Sequence, residues 1–266
     1  MEQNIKKLHS TILICVDEVI RICNKHDIPY FIYAGSLLGA VRHKGFIPWD
    51  DDFDFAMKRF DYEQFCKVCK NEINSQRFIL QTEVSEEYYA FSFAKLRLCG
   101  TKLIEPFSEG VDISDGIFVD IFPMDNLPNN KLVRKAFMIL SHVIKNMIWI
   151  KCGYGVYTHS SKLSYKILKI LGRPLSLKTL KKHRHSLITK YNLQQTKECF
   201  NSDWPKYVIQ NEFFKERDTY EFEGRKLDSF KYSDLFLTSI YGDYMTPPPE
   251  DERRWHNEGF DLGIYG

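Results

Sequence analysis

The feature that most constrains this 266-residue chain is a run of acids, Asp50-Asp51-Asp52-Phe53-Asp54, set among apolar residues. Carboxylates this dense repel one another. Two unit charges about 4 Å apart cost about 1 kcal/mol in water and about 4 kcal/mol at an effective dielectric of about 20. A protein keeps such a group when water surrounds it or a cation neutralises it. Water alone does not suit this run, because Ile47, Trp49, Phe53 and Phe55 interleave with the acids and require a core. Phe53, Phe55 and Met57 alternate with Asp52 and Asp54, which predicts a strand with both acids on one face, about 7 Å apart. Such a pair can share a divalent ion, and all-oxygen ligands select Mg²⁺, Mn²⁺ or Ca²⁺ over zinc. Asp50, Asp52, Asp54 and Asp61 also fall at the ligand spacing of an EF-hand loop. The position that must turn sharply is Phe55, however, the last ligand is Asp instead of Glu, and a Gly/Pro loop precedes the run.

Upstream, Tyr30 to Ala34 is a short β-prone run, followed by Gly35-Ser36 and a compact helical stretch from Leu37 to Arg42. A Gly-Ser at a helix N-terminus offers backbone N–H groups, a hydroxyl and the positive end of a dipole, all suited to phosphate. No P-loop pattern is present. Arg42, His43 and Lys44 lie between this turn and the acids and are candidates for further phosphate oxygens. The expectation is a site with phosphate-binding groups on one side and metal ligands on the other.

The rest of the chain alternates strands and helices. Ile5, Leu8, Ile12, Cys15, Val16, Val19, Ile20 and Cys23 predict an amphipathic helix over about the first 25 residues. A second helix begins near Asp61. Tyr88 to Leu98, Thr101 to Glu105 and Gly116 to Phe122 read as strands, with Pro123 and Pro128 bracketing a turn. Thirty-seven basic and thirty-five acidic residues leave a net charge of +2, but the total hides a segregation. From Lys131 to Lys197 there are fifteen Lys or Arg and no Asp or Glu, so the remainder sums to −13. The basic stretch reads as helical pieces divided at Gly153-Tyr154-Gly155 and Gly172-Arg173-Pro174. Such a one-signed run is the solvated face of helices or the footprint of an anionic partner. A glycolipid or the inner membrane surface fits that partner, and without a nucleic-acid motif nucleic acid is not expected. Near Phe222 to Arg225 the pattern predicts a hairpin, then a helix to Ile240.

The N-terminus lacks a secretory pattern, and Ala136 to Ile150 is too short and too interrupted to span a bilayer. Seven scattered cysteines argue against a disulfide framework and for a reducing compartment, so the expected location is cytoplasmic. Cys66 and Cys69 read as two small apolar residues on a helix, because a zinc site needs four ligands.

The stretch Tyr33-Ala34-Gly35-Ser36-Leu37-Leu38-Gly39-Ala40-Val41-Arg42-His43-Lys44-Gly45-Phe46-Ile47-Pro48-Trp49-Asp50-Asp51-Asp52-Phe53-Asp54 closely resembles the signature of the LicD family. That family includes bacterial phosphocholine transferases and, more distantly, fukutin-type ribitol-phosphate transferases. The resemblance continues through Lys95, Thr101, Gly116 to Pro123 and Phe222-Glu223-Gly224. It closes at Tyr241 to Met245, Pro247-Pro248-Pro249, Arg254 and His256. It departs at Ser36, where many members have Thr, and the hydroxyl is kept.

The resemblance implies an α+β chain with a nucleotidyltransferase-like mixed sheet carrying the acids, and a basic helical insert. The expected layout is a catalytic core over 1–128, the insert over 129–210 and a C-terminal return over 211–266 that packs on the core. It implies Asp120 as third carboxylate beside Asp52 and Asp54. Asp120 also sits in an apolar strand where an acid needs a partner, although it could instead cap the Pro123 turn. Asp50, Asp52, Asp54 and Asp120 are the expected ligands of Mg²⁺ or Mn²⁺. The donor class implied is CDP-linked, CDP-choline or a related CDP-alditol. Gly35, Ser36, Arg42, His43, Lys44, Trp49 and Lys95 are expected to bind it, and Arg97 is an alternative to Lys95. The choline ammonium would need aromatic faces such as Trp49, Tyr88, Tyr89, Phe91, Tyr241, Tyr244 or Trp255. Arg253, Arg254 and His256 either reach the site or pair with Glu250, Asp251 and Glu252. The implied reaction is transfer of phosphocholine to a hydroxyl of a bacterial cell-surface glycan: lipopolysaccharide, teichoic acid or capsule. Transfer of glycerol or ribitol phosphate, nucleotidyl transfer, and a catalytically silent glycan-binding protein are the other readings.

Overall fold

The computed structural model describes residues 2–155, 162–253, 255, 257 and 259–266. Helix α1 (Glu2–Lys25) buries the apolar stripe read from its periodicity, Leu8, Ile12, Cys15, Val16 and Val19 among it. Strand β1 (Phe31–Ile32) leads into α2 (Ala34–His43), then β2 (Asp54–Lys58), α3 (Arg59–Glu72), β3 (Phe78–Gln81), β4 (Ala94–Leu98), β5 (Lys102–Ile104) and β6 (Phe118–Asn126). The basic stretch forms α4 (Lys131–Cys152), α5 (Leu163–Leu171) and α6 (Leu177–Ile188), followed by two short strands, β7 (Glu198–Phe200) and β8 (Val208–Gln210). The chain closes with the hairpin β9 (Arg217–Phe222) and β10 (Arg225–Phe230), α7 (Ser233–Tyr241) and β11 (Gly259–Asp261). The fold is a mixed α+β architecture of the nucleotidyltransferase kind.

Seven strands form the main sheet, in the order β1-β2-β6-β4-β3, with β7 on β6 and β8 on β7. Only β2 and β6 run parallel, and the other pairs are antiparallel. β11 pairs with β5 apart from this sheet. The predicted strand at Tyr88 to Leu98 begins only at Ala94, and β3, absent from the sequence reading, supplies its outer neighbour.

The turn expected at Pro123 is not there; β6 runs straight through it. Asp120 N–H donates to Phe53 O on the β2 side, so alternation turns the Pro123 nitrogen toward the other side. On that side β4 has already ended, at the pair Ala94–Ile121, so the missing N–H costs no ladder bond. Asn201 donates to Pro123 O there, and β7 takes over the same edge at Asp125 and Asn126.

The breaks read from glycine hold: α4 ends at Gly153, in a left-handed conformation, and α5 at Gly172. The hairpin turn is Glu223-Gly224, both with positive φ, the geometry of a type I′ connection. Glu223 reaches back, accepting the Phe46 N–H, and fills the space beside Gly45 that a Cβ would need. The C-terminal hairpin thus clamps the loop that delivers the acids.

Part of the basic stretch faces inward, not toward a partner. Arg184, 1% exposed, donates to Ala90 O and Phe91 O and pairs with Glu83. Lys181 donates to the carbonyls of Glu83, Glu86 and Glu87, Lys145 to Asp203 O, and Arg134 pairs with Glu198. These contacts, to carbonyls as well as carboxylates, fasten α4 and α6 to the core. Among the described residues no helix is long and apolar enough to cross a membrane.

Candidate active site

The site is built on one row of side chains across four strands. Asp54 on β2 is the register partner of Asp120 on β6, Asp120 of Lys95 on β4, and Lys95 of Gln81 on β3. Directly paired residues share a face, and adjacent strands lie about 4.8 Å apart. The register therefore sets acid, acid, cation and amide side by side. Asp52 and Asp50 precede β2 and line the same cleft. The strand expected to carry both Asp52 and Asp54 starts at Asp54, where pairing with β6 begins, and β1 joins from Phe55. Asp50 instead folds over Gly35, where an added Cβ would lie 2.8 Å from Asp50 Oδ2.

Lys95 does not face water. It is 2% exposed and donates to Asp120 Oδ1 at 2.8 Å and to Glu105 Oε1 at 2.9 Å, its ammonium 3.3 Å from the Phe118 ring centroid. Arg97, two residues along and on the same face, holds Glu105 Oε2 at 2.5 Å and donates to Gln81 and Gly116 O. Burial pushes the Glu105 carboxyl up, but Lys95 and Arg97 together outweigh it and hold the group below its ordinary value. Asp120 behaves differently. Burial drives it up to about 7 against the pull of Lys95, with Glu105 and Asp52 repelling it. Asp54 is raised well above the usual carboxylate range by burial, then by repulsion from Asp52, Asp120 and Asp50, which Lys95 only partly offsets.

The row opens into a cleft of about 470 Å³. Gly35, Asp50, Asp52, Asp54, Lys95 and Asp120 line it together with Glu105. Asn201, Trp204, Lys206 and Tyr207 from the loop after β7 also line it, with Tyr241 from α7 and Asn257. Glu105, Asn201, Trp204, Lys206, Tyr207 and Asn257 were missed by the sequence reading. For Asn201, Trp204, Lys206 and Tyr207 the only local signal is a polar and aromatic turn directly after an apolar strand.

Other expected residues lie elsewhere. Ser36 is buried behind the cleft wall, and its Oγ accepts the Asp54 N–H at 2.9 Å. Its hydroxyl ties α2 to the acid strand instead of lining the cleft, because Ala34, with φ of 47°, starts the helix one residue before Gly35. Arg42, His43, Lys44 and Trp49 are outside the cleft lining, around the far end of α2. Arg42 donates to Tyr244 O and to His43, and the Arg253 guanidinium lies over Trp49, 4.6 Å from its centroid. Arg253 also stands 3.7 Å from Glu250. Arg254 and His256 lie outside the described residues.

Among the described residues, no group of three or more His, Cys, Asp or Glu is gathered as a ready metal-holding set. The chemistry of the donors still fits a hard cation. Asp54 and Asp120 are adjacent in register, Asp52 shares their cleft, all offer oxygen, and their mutual repulsion falls when a divalent ion binds.

A mixed sheet with helices packed on it and carboxylates at the mouth of a cleft defines a nucleotidyltransferase-like transferase. Residues 27–152 match the family model described as "LicD/FKTN/FKRP, nucleotidyltransferase domain". The chain is 30% identical over 253 residues to the lipopolysaccharide cholinephosphotransferase LicD of Haemophilus influenzae, covering 92% of this chain and 94% of that protein. An uncharacterized protein of Rickettsia prowazekii is 30% identical over 110 residues, 41% of this chain and 37% of its own length. The chain belongs to the LicD family.

Proposed function

We propose that this protein transfers phosphocholine from CDP-choline to a hydroxyl of a lipopolysaccharide or related cell-surface glycan, with a divalent cation, on the cytoplasmic side of a membrane. The observation that carries this reading is the in-register row Asp54–Asp120–Lys95 opening into a cleft, in a chain of this family. Mg²⁺ or Mn²⁺, held by Asp52, Asp54 and Asp120 with Asp50 beside them, would supply charge neutralisation at the donor pyrophosphate.

The remaining chemistry falls to side chains. Gly35, without a Cβ, lets the Asp50 carboxylate close on the start of α2 beside the cleft, and Lys206 offers a cation to phosphate. Trp204, Tyr207 and Tyr241 present aromatic faces to the trimethylammonium. Asp120, held in place by its ion pair with Lys95, lines the cleft and would orient the attacking hydroxyl or accept its proton. The new P–O bond forms to the acceptor oxygen while the P–O bond to CMP breaks, and CMP leaves with the electron pair.

The test is purified protein with lipopolysaccharide lacking choline, Mg²⁺ and a panel of CDP-choline, CDP-ribitol and CDP-glycerol, with CMP release measured. CMP from CDP-choline alone supports the reading. CMP from another CDP donor changes the transferred group, and pyrophosphate released from CTP means nucleotidyl transfer. No release from any of them, or full activity in the Asp52→Asn/Asp54→Asn variant, sinks the proposal.

A further inference from the structure

Helix α5 packs on α4, yet none of its residues is buried. Its sides divide cleanly. Tyr165 and Leu168 are half-buried and face the protein. Leu163, Ile167, Ile170 and Leu171, 47–73% exposed, recur at helical spacing and form a stripe on the far side. Lys162, Lys166 and Lys169 run alongside, one residue out of step with that stripe.

Helix α4 repeats the arrangement. Leu132, Ala136, Ile139 and Leu140 are exposed at the same spacing, opposite buried Phe137 and Ser141, with Lys131 and Lys135 beside them. Monomeric proteins rarely leave aliphatic stripes of this kind in water unless something covers them.

We propose that α5, together with the outer stripe of α4, docks this protein on an anionic phospholipid surface. The charge pattern identifies the occupant. The exposed lysines of α5 have no ion pair among the described residues, although Arg134, Lys145, Lys181 and Arg184 of the same basic run are engaged with the protein. No acid interrupts the run from Lys131 to Lys197, and the exposed aliphatic stripe of α5 is flanked by the exposed Lys162, Lys166 and Lys169. A helix of this design lies in the plane of the interface, its apolar face about 5–10 Å deep among headgroups and its lysines on lipid phosphates. The inference goes beyond the transfer reaction, because docking is read without any substrate.

The experiment is co-sedimentation of the full chain with vesicles of phosphatidylcholine alone or with about one third phosphatidylglycerol. Binding is expected on the anionic vesicles and to fall several-fold as salt rises from about 0.1 to about 0.5 M, where charge attraction is screened. Ile167→Glu/Ile170→Glu should weaken it at least tenfold with thermal unfolding unchanged, since both side chains are exposed. Lys162→Gln/Lys166→Gln/Lys169→Gln should remove the preference for anionic lipid. Equal binding to neutral and anionic vesicles, or an Ile167→Glu/Ile170→Glu variant that binds like the parent, overturns the proposal. A concentration-dependent dimer that this variant dissolves would also overturn it, by assigning the face to a second copy of the chain.

Discussion

Replacing Lys95 with methionine tests the core of the site, because the ammonium sits between two buried carboxylates and against Phe118. Methionine keeps most of the packing and removes the charge. Glu105 still has Arg97, but Asp120 loses the cation that lowers it. Removing one partner of a buried ion pair costs about 3–5 kcal/mol. For a chain of this size that is a melting-point loss on the order of 10 °C. The sign of its pH dependence follows from Asp120, whose folded value, about 7, lies above the unfolded one. Below pH ~5 the carboxyl is protonated in the folded parent and variant alike, and the loss is confined to the Glu105 contact and packing. As pH rises through 7 the carboxylate must form without Lys95, so the difference between parent and variant grows. Chemical denaturation at about pH 5 and about pH 8.5 measures both ends. Adding Asp120→Asn should recover part of the loss, a coupling of about 1–3 kcal/mol in a double-mutant cycle. A loss below about 1 kcal/mol, an equal loss at both pH values, or strictly additive effects would refute the reasoning.

Asp54→Asn should abolish transfer yet raise the melting point of the metal-free protein at pH 8, because burial and neighbouring acids hold Asp54 above its unfolded value and its charge is a cost there. That gain should vanish toward pH 4, and a variant less stable than the parent at pH 8 would contradict it. Gly35→Ala places a Cβ 2.8 Å from Asp50 Oδ2 and should lower the rate of CMP release by about tenfold or more while leaving stability within about 1 kcal/mol; an unaffected rate counts against the role of that face of α2. Arg184→Met leaves the carbonyls of Ala90 and Phe91 and the Glu83 carboxylate without their donor, and should cost about 3–5 kcal/mol in thermal unfolding. If it instead melts like the parent, α6 is not anchored through this arginine.

Local chemistry made much of the fold legible. The α1 stripe, the glycine breaks around α5 and the Glu223-Gly224 hairpin each depend on a few adjacent residues, and each appears where periodicity or turn preference puts it. Less was legible where the deciding partner is distant. β3 is four residues long and shows its role only beside β4. Pro123 reads as a turn until the end of β4 shows that its nitrogen faces no acceptor. Lys95 reads as a donor-binding cation until Glu105 and Asp120 close on it, and Asn201 to Tyr207 meet the acids only because β7 follows β4 along the edge of β6.

The sequence by itself determined that four carboxylates in five residues, interleaved with aromatics, demand a folded environment able to neutralise them, and that the excess of basic charge sits in one helical stretch. Only the tertiary structure decided how that demand is met. β-register sets Asp54, Asp120 and Lys95 in one row, Glu105 and Arg97 complete the charge pattern, and the basic helices divide their cations between the core and an outward aliphatic face. The reason is physical. Electrostatic cost depends on separation and burial in space, and neither can be read from spacing along the chain once the partners come from different strands.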